Sequence, residues 1–226
     1  MLAVIVPANN EEAIIGLCLR SVVMAACSPG LKGEPVLVIV VLDTCTDDTA
    51  KVALRAGALL ISVQARNVGI ARAAGAELAL SLGARWLAFT DADTVVAPDW
   101  LHVQVSLRSD AVCGTIGVVD WGAYGESMRR HFNATYTDAD GHQHIHGANL
   151  GVSARAYMLV GGFEPLASSE DVALVKALEA VGARIAWSAA PRVVTSARSA
   201  FRAPAGFGAT LVCVGKGQAQ KAGSVQ

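Results

Sequence analysis

Short apolar runs alternate with longer segments of helical periodicity through the first half of the chain. The pattern predicts strands over residues 2–6, 36–42, 59–63 and 86–90, and helices over residues 12–26, 46–56 and 68–82. Pro7 is expected to end the first strand, and Gly57 and Gly83 to stop the second and third helices. Strands alternating with helices of this length indicate βαβ units, so an α/β fold with a mostly parallel central sheet and helices on both faces is expected.

The second half follows a less regular pattern. It predicts a strand over 111–119, a short helix over 124–136, one or two strands over 143–153, a helix over 169–181 and a strand over 184–187. From residue 203 the chain reads as a surface tail with an apolar patch at 210–214. An exposed apolar tail of this kind would favour a homodimer.

Composition narrows the classes of protein. The 226 residues, 53% hydrophobic and 16% charged, fit one folded domain, and no apolar run reaches the ~18 residues of a membrane-spanning helix. A net charge of −1 gives no electrostatic reason to expect nucleic acid as a partner. Five cysteines without a CxxC pair indicate reduced thiols, and no signal peptide is visible, so a cytoplasmic protein is expected, with the inner membrane face as an option.

The strongest chemical signal is Asp91-Ala92-Asp93, directly after the apolar run 86–90. Ligands of open α/β sheets bind at the carboxyl ends of the strands, and paired carboxylates suit Mg²⁺ or Mn²⁺, which usually also take substrate phosphates as ligands. The strand assignments bring further polar residues to the same edge of the sheet, namely Asn9, Glu11, Asp43 and Arg72.

The order of these motifs resembles the family 2 glycosyltransferases, which have the GT-A fold. The resemblance covers roughly residues 2–195. It rests on segments 4–12, 40–49 and 66–72, the Asp91-Ala92-Asp93 triplet as the DxD metal motif, segments 147–149 and 161–163, and the Glu170-Asp171 pair. No single segment is specific to the family, but the order of all of them along the chain is. Segment 194–198 looks like the closing block of some small bacterial members.

The resemblance implies an inverting, metal-dependent transferase that moves a sugar from a nucleoside-diphosphate sugar, such as a UDP- or GDP-sugar, to an acceptor hydroxyl of unknown identity. It implies one GT-A domain over 1–226: a nucleotide-sugar-binding half (1–97), an acceptor-binding half (98–200) and a tail (201–226). Asp93 with Asp91 would bind the Mg²⁺ or Mn²⁺ that bridges the diphosphate, and Asp171 would be the base. The donor would be held by Pro7, Asn9, Glu11, Asp43, Arg72 and Asp91.

The sequence departs from the family pattern at two points. Thr44-Cys45 replace the usual glycine-serine after the second-strand aspartate, and no histidine follows His146 to act as a third metal ligand. Alternatives are a non-catalytic nucleotide-sugar binder and a phosphohydrolase of the haloacid dehalogenase type, whose motif Asp91 and Asp93 match. The latter lacks the expected lysine between Asp93 and Lys176. A nucleotidyltransferase would need a glycine-rich loop after the first strand, which is absent from the sequence.

Each candidate also has a structural interpretation. Asp47, Asp48, Glu170 and Asp171 are acids at predicted helix starts, with Ser168 and Asp171 near capping-box spacing. Asn9 and Glu11 would cap the first helix, Asp43 would make a turn, and Arg72 would lie on a solvated helix face. His142, His144 and His146 alternate and would share one face of a strand, as metal ligands, pocket lining or polar surface. Trp100 and Trp121 are expected in the core or in a pocket wall.

Overall fold

The protein folds as a mixed β-sheet flanked by helices. This fold comes from a computed structural model, which describes residues 1–118, 121 and 125–196. The helices are α1 (Ile15–Ala26), α2 (Thr49–Arg55), α3 (Val68–Ser81), α4 (Trp100–Ser106), α5 (Gly125–Thr135), α6 (Ala154–Leu159) and α7 (Glu170–Ala180). The strands are β1 (Leu2–Ala8), β2 (Val36–Asp43), β3 (Leu59–Val63), β4 (Trp86–Phe89), β5 (Val95–Val96), β6 (Ala111–Gly114), β7 (Gly117–Val118), β8 (Leu150–Ser153), β9 (Ile185–Ser188) and β10 (Val193–Thr195).

The main sheet has seven strands in the order β3-β2-β1-β4-β8-β6-β9. The strands of the first half run parallel, whereas β8 runs antiparallel to both β4 and β6. A second, three-stranded sheet has the order β5-β10-β7. The predicted α/β fold with a mostly parallel sheet is therefore correct, and β8 is the exception that sequence periodicity does not reveal.

Helices cover both faces of the sheet, as the side chains of β1 show. Leu2, Val4 and Val6 belong to one hydrophobic cluster, whereas Ala3 and Ile5 belong to the other. This burial on both faces explains why the strand is a continuous apolar run rather than an alternating one.

Small residues let α3 approach the sheet closely. A Cβ at Gly75 would lie 2.5 Å from Cγ2 of Ile5 and 2.9 Å from Cγ2 of Val41, closer than carbon atoms pack. The buried face of the helix is otherwise mostly alanine. Close approach brings Arg72, one turn earlier on α3, down towards the carboxyl edge of the strands.

Several element boundaries differ from prediction. Pro7 does not end β1, because β4 pairs only with Leu2 to Ile5 and the missing N–H of Pro7 faces no neighbouring strand on that side. Helix α2 begins at Thr49 rather than at residue 46, because Asp47 accepts hydrogen bonds from both the N–H and the hydroxyl of Thr49 ahead of the helix. The single strand predicted over 111–119 is instead two strands within the described part of that segment, β6 (Ala111–Gly114) and β7 (Gly117–Val118), which lie in different sheets.

The acceptor-side prediction over 143–153 is half wrong. Only Leu150–Ser153 is a strand, preceded by a 3-10 helix at Gly147–Asn149. The elements β5, α4, α6 and β10 were not predicted, since each is too short for a clear period. The predicted tail (201–226), the apolar patch at 210–214 and the last two residues of segment 194–198 lie outside the described residues. Within the described part, every helix falls short of the length and apolar character required to span a bilayer.

Candidate active site

The carboxyl ends of β1, β2 and β4 meet at one edge of the sheet. Asn9 and Glu11 follow β1, Asp43 is the last residue of β2, and Asp91 is the second residue after β4. The strands are adjacent and in parallel register, with Ala8 opposite Leu42 and Ile5 opposite Phe89. The polar residues predicted to converge therefore do lie along one edge.

Asp43 organises the loop between β3 and α3. Its Oδ1 accepts the backbone N–H groups of Ala65 and Arg66, and its Oδ2 accepts that of Asn67, all at 2.8 Å. The hydroxyl of Thr44 donates to Oδ1 at 2.9 Å. Burial raises the pKa of Asp43, but these hydrogen bonds outweigh burial and lower it, so the carboxylate is ionised and fixed.

The loops after β1 and β2 are tied together by hydrogen bonds. The amide of Asn9 donates to the carbonyl of Asp43 at 2.6 Å, and the backbone N–H of Glu11 donates to the hydroxyl of Thr49 at 2.8 Å. The N-cap of α1 is Ile14, which makes no side-chain cap, and the backbone carbonyl of Glu11 accepts the N–H groups of Ile14 and Ile15. The Asn9 side chain and the Glu11 backbone N–H thus join the two loops at the edge of the sheet.

Cys45 occupies the position where the family usually has serine. Its thiol donates to the carbonyl of Ala8 at 3.3 Å and accepts the backbone N–H of Asn10 at 3.4 Å. Burial raises the pKa of the Cys45 thiol, and Asp47 and Asp43 raise it further against the hydrogen bonds from Asn10 and Thr49. The thiol is thus a neutral bridge between the two loops.

Asp91 and Asp93 lie in the turn after β4. The carbonyl of Asp91 accepts the N–H of Thr94 at 3.0 Å and the thiol of Cys18 at 3.3 Å, which fixes the turn. Burial raises the pKa of Cys18, and the charges of Asp91 and Asp93 raise it further, so both carboxylates lie near this thiol. The Asp91 side chain is 36% exposed.

Arg72 joins the turn after β4 to the start of α7. The residue is only 3% exposed; its Nη2 lies 2.6 Å from Oδ1 of Asp91 and its Nη1 binds Oε1 of Glu170. Burial lowers the pKa of Arg72, but Asp91, Glu170 and Asp171 together raise it, so the guanidinium remains charged. The interpretation of Arg72 as a solvated helix residue is wrong.

The segment 161–163 packs beneath this guanidinium. The ring centroid of Phe163 lies 6.0 Å from Cζ of Arg72 and 5.0 Å from the ring of Phe89, in an edge-on arrangement. Both Gly161 and Gly162 have positive φ, 81° and 77°, which glycine adopts at little cost. This turn places an aromatic ring against the cation.

Asp171 is held by backbone donors from two elements. Gly147 donates its N–H to Oδ2 at 2.7 Å, and Val172 donates to Oδ1 at 2.8 Å. The predicted Ser168–Asp171 capping box is wrong: the N-cap of α7 is Ser169, which has φ of 61° and makes no side-chain cap. The carboxylate of Asp171 reaches across to the segment before β8 instead.

Asn149 connects the two sheets rather than lining a pocket. Its Oδ1 accepts the indole N–H of Trp100, and its Nδ2 donates to the carbonyls of Thr115 and Pro191, each at 2.8 Å. Both Asn149 and Trp100 are fully buried, and Trp121 is also buried. The expectation that the two tryptophans lie in the core or a pocket wall fits this burial.

The three histidines lie on irregular backbone, so the predicted shared strand face is absent. Their rings stack instead, with centroids 5.4 Å apart for His142 and His144 and 5.9 Å for His144 and His146. Tyr136 stacks on His144 at 4.1 Å, and its hydroxyl lies 3.0 Å from Nε2 of His146. Burial, with His144 and His142 nearby, lowers the pKa of His146 to about 3, so this imidazole is neutral.

Among residues 1–118, 121 and 125–196, no group of three or more His, Cys, Asp or Glu side chains is arranged to hold a metal ion. The histidine stack is therefore not a transition-metal site. Asp91 and Asp93 still offer carboxylate oxygens, which suit Mg²⁺ or Mn²⁺ when substrate phosphates supply further ligands. The residues fit an ion shared with a diphosphate rather than one enclosed by the protein.

Residues 3–158 match the sequence profile of glycosyl transferase family 2, more than half of the chain. The chain belongs to this family. The matched region includes β1 to β4, β8, the Asp91-Ala92-Asp93 turn, Arg72 and Gly147, but ends before Glu170 and Asp171. A search of curated proteins found no match.

Solved structures of other proteins share the GT-A fold of this family 2 protein. S. aureus TarS 1-349 in complex with UDP-GlcNAc aligns with a TM-score of 0.68 at 16% identity, over 95% of this chain and 65% of that one. The mannosyltransferase PcManGT from Pyrobaculum calidifontis, in complex with GDP-Man and Mn²⁺, aligns with a TM-score of 0.61 at 20% identity, over 88% and 57%. The chain thus spans less than two thirds of the length of these proteins.

Sequence reasoning about this family 2 protein missed two contributors to the site. In the sequence, Glu170 stands only as the neighbour of Asp171 in the motif pair and as a helix-start acid, because the burial of Arg72, which requires a counter-charge, is seen only in the structure. Gly147 contributes through its backbone N–H, and a Cβ at this position would overlap the Arg72 guanidinium. Residue type alone carries no signal for such a backbone donor.

Proposed function

We propose that this protein transfers a sugar from a nucleoside-diphosphate sugar to an acceptor hydroxyl with inversion and with the help of Mg²⁺ or Mn²⁺. The observation that carries the proposal is the juxtaposition at Arg72. This one side chain binds Asp91, on the donor edge of the sheet, and lies close enough to Asp171 for that carboxylate to raise its pKa. The donor-side carboxylates and the proposed base therefore belong to one cluster.

The donor edge would hold the nucleotide. Pro7, Asn9, Glu11 and Asp43 lie on or beside the linked loops after β1 and β2, where they would contact the nucleobase and ribose. Asp93 and Asp91 would bind the divalent ion, which offsets the charge that develops on the departing diphosphate. The complexes of TarS with UDP-GlcNAc and of PcManGT with GDP-Man and Mn²⁺ support a UDP- or GDP-sugar and a metal.

Asp171 would act as the general base. Its two oxygens each accept one backbone N–H, which fixes the plane of the carboxylate and leaves a lone pair on each oxygen for a further hydrogen bond. One oxygen would take the proton of the acceptor hydroxyl as that oxygen attacks the anomeric carbon. The bond from this carbon to the diphosphate breaks, its electron pair leaves with the nucleotide, and the configuration inverts.

The two halves of the chain would divide this work. Residues 1–97 would bind the donor, and residues 98–200, which hold the ring stack and Asp171, would receive the acceptor. Dimerisation and the place of the protein in the cell remain predictions.

Thermal shift with UDP and GDP, each with and without Mn²⁺, tests the proposal. One nucleotide is expected to stabilise the wild type in a Mn²⁺-dependent way, by about 2.7 kcal/mol at 100 times its dissociation constant. Asp93→Ala should lose this stabilisation. Asp99→Ala is the matched control, because Asp99 is exposed and makes no side-chain cap on α4.

Absence of any shift with either nucleotide in the wild type would contradict the proposal. Stabilisation by a nucleotide without transfer to any of a panel of acceptors, in wild type and Asp171→Asn alike, would instead favour the non-catalytic binder.

A further inference from the structure

Glu170 has no part in the mechanism above, yet it is one of the most buried charged residues described, at 4% exposure. Its Oε1 binds Nη1 of Arg72, 98 positions earlier in the chain. The other end of the same guanidinium holds Asp91. A single arginine thus links the first residue of α7 to the turn that follows β4.

The surrounding backbone leaves room for this link. A Cβ at Gly147 would overlap the guanidinium, and a Cβ at Gly69 would lie 2.9 Å from the carbonyl of Glu164 and 3.1 Å from Cβ of Glu170. Two glycines from separate segments are therefore needed for α3, α7 and the segment before β8 to close around Arg72. No acceptor for Nε of Arg72 lies among the described residues, so its terminal nitrogens make all of its hydrogen bonds there.

The charge balance around Arg72 shows that Glu170, its second carboxylate partner, is not needed to neutralise it. Asp91 alone would neutralise Arg72, whereas Glu170 and Asp171 leave the cluster with one cation against three carboxylates. Burial raises the pKa of Glu170, and Asp171 and Asp91 add to this rise against the opposing effect of Arg72. The fold gathers three carboxyl groups around one cation although burial disfavours their charged forms, which is unexpected if the link served stability alone.

We propose that Glu170 is a positioning residue for the donor metal: by sharing Arg72 it keeps the Asp91 carboxylate placed and incompletely neutralised, so that Asp91 and Asp93 attract a divalent ion. This inference rests on the proposed function. The planar guanidinium fork fixes the angle between its two carboxylates, so Glu170 acts on Asp91 through Arg72 without contacting the donor.

The experiment measures binding rather than transfer. Isothermal titration gives the dissociation constants of UDP and GDP, with and without Mn²⁺, for the wild type and Glu170→Gln. Loss of the Glu170 charge lets Arg72 neutralise Asp91, so Mn²⁺-dependent nucleotide binding should weaken about tenfold, the scale seen when a partner of a metal ligand is removed. Nucleotide binding without Mn²⁺ should stay unchanged, whereas general damage to the fold would weaken both.

Three further variants sharpen the test. Glu179→Gln, an exposed residue of the same helix, should bind like the wild type. Glu170→Asp retains the charge and should recover part of the Mn²⁺-dependent affinity. The double variant Glu170→Gln/Asp91→Asn should bind no more weakly than Asp91→Asn alone, because Glu170 acts through Asp91.

Circular dichroism checks that each variant folds, and Glu170→Asp carries the comparison if Glu170→Gln does not. A wild type that binds neither nucleotide with Mn²⁺ overturns the proposed function. A wild type that binds, alongside a Glu170 variant that binds equally well, overturns only the role of Glu170. Additive losses in the double variant would also overturn it.

Discussion

The two sides of the candidate site are built from different chemistry. On the proposed donor side, carboxylates are held by backbone N–H groups, as at Asp43, or by Arg72, as at Asp91. On the acceptor side, between α5 and β8, the side chains of Tyr136, His144 and His146 stack as neutral rings. The charged edge suits the metal and diphosphate proposed above, whereas the segment proposed to receive the acceptor is lined by neutral rings.

The largest expected effect comes from breaking the charged side at its centre. Arg72→Met leaves Asp91 and Glu170 without their shared cation, and we expect the free energy of unfolding to fall by about 3–5 kcal/mol, as for other broken buried pairs. Urea denaturation monitored by circular dichroism measures this loss. The control is Arg129→Met, which breaks an exposed ion pair with Glu126 on α5.

Asp43 tests whether the charge of a donor-side carboxylate matters, beyond its shape. Asp43→Asn places an amide NH₂ against a backbone N–H donor and should cost about 2 kcal/mol at pH 7. The pKa of Asp43 is lowered on folding, so the wild type gains this stability above the ordinary aspartate pKa and loses it as pH falls towards the lower, folded value. The difference in urea stability between wild type and variant should therefore shrink below about pH 4. If the stability difference between wild type and Asp43→Asn did not change with pH, the ionised Asp43 carboxylate would not be its source.

A substitution at His146 tests whether the stacked rings of Tyr136, His144 and His146 are neutral. Its pKa falls to about 3 on folding, so between that value and about 6.5 the unfolded chain binds the extra proton and stability decreases as pH falls. Within this window the single imidazole should contribute a loss of about 1.4 kcal/mol per pH unit. His146→Gln should flatten the pH dependence of the urea midpoint between pH 7 and pH 5, whereas His131→Gln, on α5, should retain it.

The smallest effect belongs to the surface. Arg129→Met should change the free energy of unfolding by less than about 1 kcal/mol, because its pair with Glu126 is exposed on both sides. If Arg72→Met and Arg129→Met lowered the free energy of unfolding equally in the same urea series, the buried ion pairs of Arg72 would be no more important for stability than the exposed pair of Arg129.

The proposed donor side could be predicted from sequence because its residues lie near the end of a strand or in the loop or helix that follows one. Strand β3 matches prediction residue for residue, and Asp43, Asp91 and Arg72 lie where the alternation of strands and helices places them. The partner of Arg72 could not be found in this way. Glu170 lies 98 positions away, and its pairing depends on how α7 packs, which no local pattern encodes.

The structure of the proposed acceptor side could not be predicted from sequence, for physical reasons. Alternating histidines fit a strand of period two, but their rings stack on Tyr136 and on each other along irregular backbone, an arrangement that depends on contacts with the residue that follows α5. The direction of β8 was equally hidden, because a buried strand has the same apolar run in either orientation. Asn149, which the sequence offers only as part of segment 147–149, makes three hydrogen bonds inside the protein.

The position of β8 has a consequence for synthesis on the ribosome. Strand β4 pairs on one side with β1 and on the other with β8, whose residues emerge more than sixty positions later. Until then, a nascent chain that has already folded β1 to β4 exposes a fully apolar edge strand, the type of surface that recruits other chains into aggregates. A truncation that ends before β8 should therefore precipitate or bind chaperones, and the donor half depends on the acceptor half for its solubility.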